Sequence, residues 1–323
     1  MSAPASVGLA LALRLFAGAA LAIGTVQALL APDLPVQAAL AAWAVIALAA
    51  WRPAAGLVAV VALAPAGLVL AAPPARTAEL LVWAFLATWL LAAWRPLGTG
   101  ARSGKTLQPA LLYGGCALAS WLGYTIRGAP GVPPHRLPLT LARALDADHL
   151  VYTSPEPETW TLVASIAGLA LFASAVAIAR GRPEVRRQVA VAIALSAAVV
   201  SVLTAADVLR QWADVGYGGW FLLRYVHGER FSFHLGDLNA AGSQYGLGSL
   251  IAIAMAAGDA TRRARWIAAA VLMLPALYLS GSRAAAIGAA IVGLALILLL
   301  RRQFPVRAAP AGALAIVLVV VAA

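Results

Sequence analysis

Residues 188–209 read QVAVAIALSAAVVSVLTAADVL, a run in which Asp207 is the one charged side chain. As an α-helix rising 1.5 Å per residue it is about 33 Å long, enough to cross a hydrocarbon core of roughly 30 Å. In that medium backbone N–H and C=O groups find no water, so only a helix that satisfies them internally can lie there. Similar apolar runs occupy 7–30, 34–51, 54–72, 77–94, 107–126, 158–179, 239–257, 266–281, 284–300 and 308–323. Together they predict an all-α polytopic membrane bundle of about eleven transmembrane helices, the third and fourth connections being short enough to be re-entrant instead. The chain has 323 residues, 63% of them hydrophobic and 11% charged, with mean hydropathy +0.89. A soluble domain of that composition would expose large apolar patches. The opening run, VGLALALRLFAGAALAIGTVQALL, imitates a signal peptide, but its length and the runs behind it favour a retained first span. Cys116, the one cysteine, excludes an internal disulfide and a cysteine-based metal site.

The 23 basic residues sit almost entirely between the apolar runs, with no basic stripe or aromatic stacking module, and this excludes nucleic acid as a partner despite a net charge of +11. One set of alternate loops holds fourteen of them: Arg52, Arg95, Arg102, Lys105, Arg180, Arg182, Arg186, Arg187, Arg262, Arg263, Arg265, Arg301, Arg302 and Arg307. The other set holds eight, and Arg14 lies within the first span. Basic residues concentrate on the cytoplasmic side, so the first set, with the N-terminus, is expected there. The two long loops, about 127–157 and 210–238, then face outward. They carry all four histidines, His135, His149, His227 and His234, and the aromatics Trp212, Tyr217, Trp220 and Tyr225, which suit either interface anchoring or substrate contact.

Within the second loop lies GERFSFHLGDLNAAGSQYG, residues 228–246, the densest polar cluster of the chain. Asp237 or Asn239 is placed to cap the helix that follows, a contribution of about 1 kcal/mol. Helices entering from this side near Asp33, Glu79 and Glu158 carry acids where the helix macrodipole prefers them. The helix opening at YLSGSRAAAIG departs from this pattern. Ser282 can cap it, but Arg283 in its first turn sets a cation against the dipole at the membrane boundary. An anion nearby removes that penalty. Two helix N-termini with Arg230, Arg283 and Arg224 at one level suit a phosphate or diphosphate, since amide N–H groups and guanidinium forks both fit phosphate oxygens.

Other features have plainer readings. Gly242 and Gly246 form a small-residue face for close helix packing. Arg14 is expected to snorkel to the inner surface, and Pro65 and Pro275 to be tolerated kinks. LDADH, residues 145–149, offers Asp146, Asp148 and His149 to a divalent cation, but reads better as a solvated acidic loop, so no metal or other cofactor is expected.

The segment ERFSFHLGDLNAAGSQYG followed some forty residues later by YLSGSRAAAIGAAIVGL resembles the O-antigen ligase and polymerase family, over roughly 188–323. The first part of the chain, 1–187, shares only serial spans with it. The resemblance implies a metal-independent glycosyltransferase of the bacterial inner membrane, active on the periplasmic face. Its donor is a glycan on a polyprenyl diphosphate and its acceptor lipid A core, a growing glycan or a protein. It implies that Arg230 and Arg283, with Arg224 beside them, hold the diphosphate, and that Asp237, Asn239 and Ser282 shape the site. Where the family has Pro-Asn this chain has Leu238-Asn239. The family's catalytic histidine is expected beyond Ala323. His227 and His234 are weaker candidates for the base that deprotonates the acceptor hydroxyl. ALAIVLVVVAA at 313–323 has no polar tail, and the expectation is a piece of a longer protein.

Two readings compete with the enzyme. A bicarbonate or small-solute transporter would place coupling carboxylates near the bilayer midplane, where this chain has none. A noncatalytic membrane fragment lacking the catalytic loop is the other.

Overall fold

The computed structural model describes residues 3–32, 34–66, 77–92, 112, 115, 119, 157–227, 229–233 and 238–300. Its regular secondary structure among these residues is helical, with no strand among them. Among the described residues three helices are long and apolar enough to cross a membrane, in the segments Leu11–Leu29, Pro183–Asp214 and Leu238–Gly258. The expected spans 107–126 and 308–323 lie outside the described residues, apart from 112, 115 and 119, which are helical.

The chain divides into two compact units, Met1–Arg186 and Arg187–Ala323. In the first, α1 (Ala3–Leu29), α2 (Val36–Trp51), α3 (Pro53–Leu63), α4 (Thr77–Leu91) and α5 (Pro157–Ala179) follow one another. The sharp turn between α2 and α3 has a local cause. Arg52 precedes a proline, which disfavours the helical backbone region, and it is extended at φ −143°, ψ 114°. Pro53 then starts α3 at the position where a missing N–H costs nothing. The return is tight enough that a Cβ on Gly56 would lie 2.5 Å from that of Ala49. At 11 residues, or about 16 Å, α3 is shorter than the run 54–72 suggested, because Pro65 passes the chain into the 3-10 turn Ala64–Ala66. The centre of the unit is α4, whose Leu80, Leu81, Trp83, Phe85 and Leu86 are all buried, and it contacts α1, α2, α3 and α5.

Arg14 does not rely on water at the inner surface. Its Nη2 donates to the carbonyls of Trp89 and Ala92, both at 3.1 Å, and its guanidinium stands over the Trp89 ring at 6.0 Å. A cation at a helix C-terminus satisfies carbonyls that the helix itself cannot and opposes the negative end of its dipole.

The second unit contains nearly all of α6 (Pro183–Asp214), then α7 (Gly219–Val226), α8 (Leu238–Gly258), α9 (Arg263–Ser280) and α10 (Arg283–Leu300). With 32 residues α6 runs about 48 Å, well past both ends of 188–209. Its Leu195, Val199, Val202 and Leu209 are exposed along one stripe, as an apolar helix face does when lipid rather than protein covers it. The inner face is built from small residues. Ala194, Ala197 and Ala198 of α6 meet Ala252 and Ala256 of α8 and Trp266, Ala270 and Met273 of α9. A Cβ on Gly248 would lie 2.5 Å from the Ala197 Cβ and 2.8 Å from the Met273 Sδ.

The turn from α8 to α9 is organised by Asp259. It accepts from the Thr261 hydroxyl at 2.9 Å and the Arg262 amide at 3.2 Å, and pairs with Arg187 at 3.3 Å. The Thr261 hydrogen bond above all, then the Arg262 amide and the charges of Arg262 and Arg187, hold its carboxyl below the usual carboxylate range, with burial opposing them.

Two outcomes test this packing. Gly248→Ala is expected to lower stability by about 1–3 kcal/mol through overpacking, outweighing the gain of up to about 1 kcal/mol from helix propensity. Gly288→Ala, with nothing near its added Cβ, is expected to be neutral or slightly stabilising. Thermal unfolding in lipid nanodiscs reads both, and equal midpoints would refute the close contact. For Asp259 the folded-state pKa lies below the unfolded one, so its contribution is complete above the ordinary carboxylate range and disappears as pH falls through the depressed value. Asp259→Asn should therefore remove that acid-side loss while lowering the midpoint at neutral pH.

Candidate functional site

An α-helix leaves its last four carbonyls without internal partners. The end of α9 shows where they go. The Leu277 carbonyl accepts the Ser280 hydroxyl at 2.7 Å and the Tyr278 carbonyl accepts the Gly281 amide at 2.9 Å. The Leu279 carbonyl accepts the Phe231 amide at 2.8 Å, and the Ser280 carbonyl accepts Arg230 Nε at 2.8 Å. Half of the cap is thus supplied by a segment fifty residues earlier in the chain, 229–233, which lies across the helix end as a strap.

Gly281 makes the geometry possible. It closes α9 in the left-handed region at φ 59°, ψ 22°, which glycine adopts without a Cβ penalty. A Cβ there would also lie 2.7 Å from Arg230 Cγ and 2.9 Å from Arg230 Nε. One residue on, Ser282 is buried and caps α10, its Oγ accepting the Ala285 amide at 3.4 Å, while its own amide donates to Ser280 Oγ at 3.3 Å. Gly242 of α8 backs this turn, since its Cβ would fall 2.5 Å from Ser282 Cβ and 2.6 Å from Ser280 Oγ. Gly246, on the same face, sits at ordinary distance from Ala289 of α10.

The predicted site residues separate into groups. Arg230, Asn239, Ser282 and Arg283 come together around this turn. Asn239 falls inside the first turn of α8 and its Oδ1 accepts Arg230 Nη2 at 2.9 Å, so its carbonyl oxygen serves the arginine. Arg283 is the first residue of α10 and is exposed. Arg224 has a different setting. Its Nε pairs with Glu229 at 3.2 Å, its Nη2 donates to the Tyr225 hydroxyl at 2.8 Å and to Gln211 Oε1 at 3.2 Å, and its guanidinium lies over the Phe221 ring at 3.9 Å. His227 is exposed at the C-terminal end of α7. Asp237, His234, His135, His149 and the LDADH segment lie outside the described residues.

Charge balance distinguishes the arginines. Arg187, Arg210 and Arg224 each face a carboxylate, from Asp259, Asp207 and Glu229 respectively. The described contacts of Arg230 are with neutral oxygens, one backbone carbonyl and one amide. Those contacts fix the guanidinium and leave its positive charge uncompensated among the described residues. They use two of its five N–H donors.

Sequence reasoning passed over two features. The first is α7, inside what reads as a loop. Its Phe221 and Tyr225, one turn apart, are buried with Val208 beside Trp212, Phe231 and Leu279, whereas Tyr217 and Trp220 are exposed. The aromatics thus divide, Trp212 and Tyr225 packing inward and Tyr217 and Trp220 outward. The i, i+4 aromatic pair was the available signal. The second is Tyr245, fully buried in α8, whose hydroxyl meets Thr204 Oγ1 at 2.9 Å. No protein-family model, curated protein or solved structure matches the chain.

Gly281→Ala is expected to lose about 1–3 kcal/mol, partly from the positive φ and partly from displacing Arg230. In an Arg230→Ala background the second part should vanish, giving a coupling of about 1 kcal/mol in a double-mutant cycle read by thermal unfolding. Strictly additive losses would mean that the two residues do not touch.

Proposed function

We propose that the chain is an integral membrane glycosyltransferase acting on a glycan linked to a polyprenyl diphosphate, of the O-antigen ligase and polymerase type. The observation that carries the reading is an arginine clamped by neutral oxygens beside the start of α10, with a second arginine, Arg283, in that helix's first turn. The resemblance of the two motifs, in order and spacing, supports it. So does the composition, which suits a substrate carried in the bilayer.

In this reading about eleven spans leave the N-terminus in the cytoplasm and the Arg230 turn on the periplasmic face of a bacterial inner membrane, as the distribution of Lys and Arg implies. Transfer breaks the bond between the anomeric carbon and the diphosphate oxygen and forms one to an acceptor hydroxyl, whose proton passes to a base. The polyprenyl diphosphate departs with the bonding pair. Arg230 and Arg283 answer the charge that develops on it, and because Arg230 is already held by Ser280 and Asn239, little reorganisation is needed as that charge grows. Lipid A core, a growing glycan and a protein all remain suitable acceptors, so ligase and polymerase chemistry share this step.

The test is a titration of the chain in nanodiscs with a short-chain polyprenyl diphosphate, alongside transfer of glycan from the full donor. Arg230→Ala and Arg283→Ala should each weaken binding by about 10- to 100-fold, the 1.5–3 kcal/mol of a hydrogen bond to a charged group, and abolish transfer while the protein still inserts. Wild-type binding by both variants would remove the site assignment, whatever their stability.

A further inference from the structure

The strap 229–233 touches more than the end of α9. Ser232, the residue after Phe231, hydrogen-bonds to the Tyr245 hydroxyl. Tyr245 is fully buried in α8, and its hydroxyl also meets Thr204 Oγ1 of α6 at 2.9 Å. Thr204 is itself fully buried, and its hydroxyl proton is committed to the Val200 carbonyl at 2.8 Å.

The donors and acceptors fix the direction of this chain. A threonine hydroxyl has one proton. Since Thr204 gives it to Val200, Thr204 can only accept from Tyr245. The tyrosine proton is then used, so Tyr245 can only accept from Ser232. The relay runs Ser232 O–H to Tyr245 Oη, Tyr245 O–H to Thr204 Oγ1, and Thr204 O–H to the Val200 carbonyl. It has one arrangement of protons: removing the phenol oxygen ends its first two bonds and leaves Thr204 on the Val200 carbonyl, and a shift of the strap ends the first.

We infer that Tyr245 is a positioning residue for Arg230, holding the strap to α8 and α6 so that the guanidinium meets the α9–α10 turn in one orientation. Without it the strap rests on α9, on Arg224 of α7 through Glu229, on the bond from Arg230 Nη2 to Asn239 in the first turn of α8, and on the packing of the Phe231 ring with Phe221 and Tyr225. Two of those anchors, the Phe231 amide and Arg230 Nε, grip adjacent carbonyls of one helix end, while the Asn239 bond and the Glu229–Arg224 pair hold the strap through side chains that water reaches. The Ser232–Tyr245 bond adds an anchor on α8 that is fully buried and does not use the guanidinium itself. In the proposed function, on which this part rests, that is what keeps Arg230 aimed at the diphosphate.

Hydrogen exchange of the full chain in nanodiscs tests the positioning without any ligand. Tyr245→Phe should raise exchange in the peptide covering 229–233 by about tenfold or more, while α9 and α10 beyond the turn keep their protection. Thr204→Val, which leaves the Ser232–Tyr245 bond possible, should raise it less. Unchanged exchange over 229–233 would overturn the inference, as would a rise shared equally by α6, α8 and α9, which marks general loosening. Titration with the short-chain polyprenyl diphosphate adds the functional arm. Tyr245→Phe should weaken binding by about 5- to 10-fold, and Arg230→Ala combined with it should be no worse than Arg230→Ala alone. If wild type fails to bind while the strap still loosens locally, the positioning stands and the diphosphate reading falls.

Discussion

Four carbonyls at the end of α9 constrain the second unit. In an apolar medium each one left unpaired costs several kcal/mol, and a helix cannot pair its own last four. Two are met locally, by the Ser280 hydroxyl and the Gly281 amide, and two by the strap. The strap therefore has to arrive at a fixed place. Its arrival brings an arginine to the mouth of the next helix, and the left-handed Gly281 is the space through which that arginine passes. Closing α9, capping α10 and presenting Arg230 are one arrangement of five consecutive residues against another.

Such an arrangement tolerates little slack, and the packing around it provides little. In lipid, helices gain no hydrophobic advantage from meeting, so close approach of backbones has to supply the attraction. The second unit does this with Gly242, Gly248 and a layer of alanines shared by α6, α8 and α9. The first unit solves the same problem differently, seating Trp83, Phe85 and several leucines of α4 in its centre. Large side chains adapt by changing rotamer, whereas the Cβ atoms of Ser282 and Ala197, which Gly242 and Gly248 face, have no rotamer to change.

The helices were legible because apolar runs of this length leave the backbone few alternatives, and the punctuation was legible where it rests on one residue, as at Ser282 and Gly242, although Pro65, read as a tolerated kink, passes α3 into a 3-10 turn instead. What escaped reading depended on partners remote in sequence. Arg230 could be picked out as a cation near a membrane boundary, but that it closes α9 follows only once Ser280 lies beside it. Asn239 looked like a helix cap because asparagine before an apolar run so often is; the helix begins at Leu238, two residues earlier than that reading needs, and the side chain turns to Arg230. Tyr245 gave no sign, since a tyrosine among glycines and alanines in a span passes for an interface aromatic. The loop read at 210–238 hid α7 because eight residues with Trp, Phe, Leu and Tyr are too few for a period to stand out from a stretch already rich in aromatics.

The field at the turn also differs from what two helix N-termini would produce. The start of α10 is worth roughly half a positive charge, but the end of α9, separated from it only by Gly281 and Ser282, is worth roughly half a negative one. The two oppose each other, which leaves the start of α8, whose first turn meets Arg230 through Asn239, as the net positive contribution of the helices. An anion there would meet guanidinium groups backed by one helix start rather than two. Arg230 meets the negative end of α9 through Nε on the Ser280 carbonyl and reaches the Asn239 amide oxygen through Nη2. Those are two positions of one planar fork, an arrangement that a lysine, with its three donors on a single nitrogen, does not reproduce.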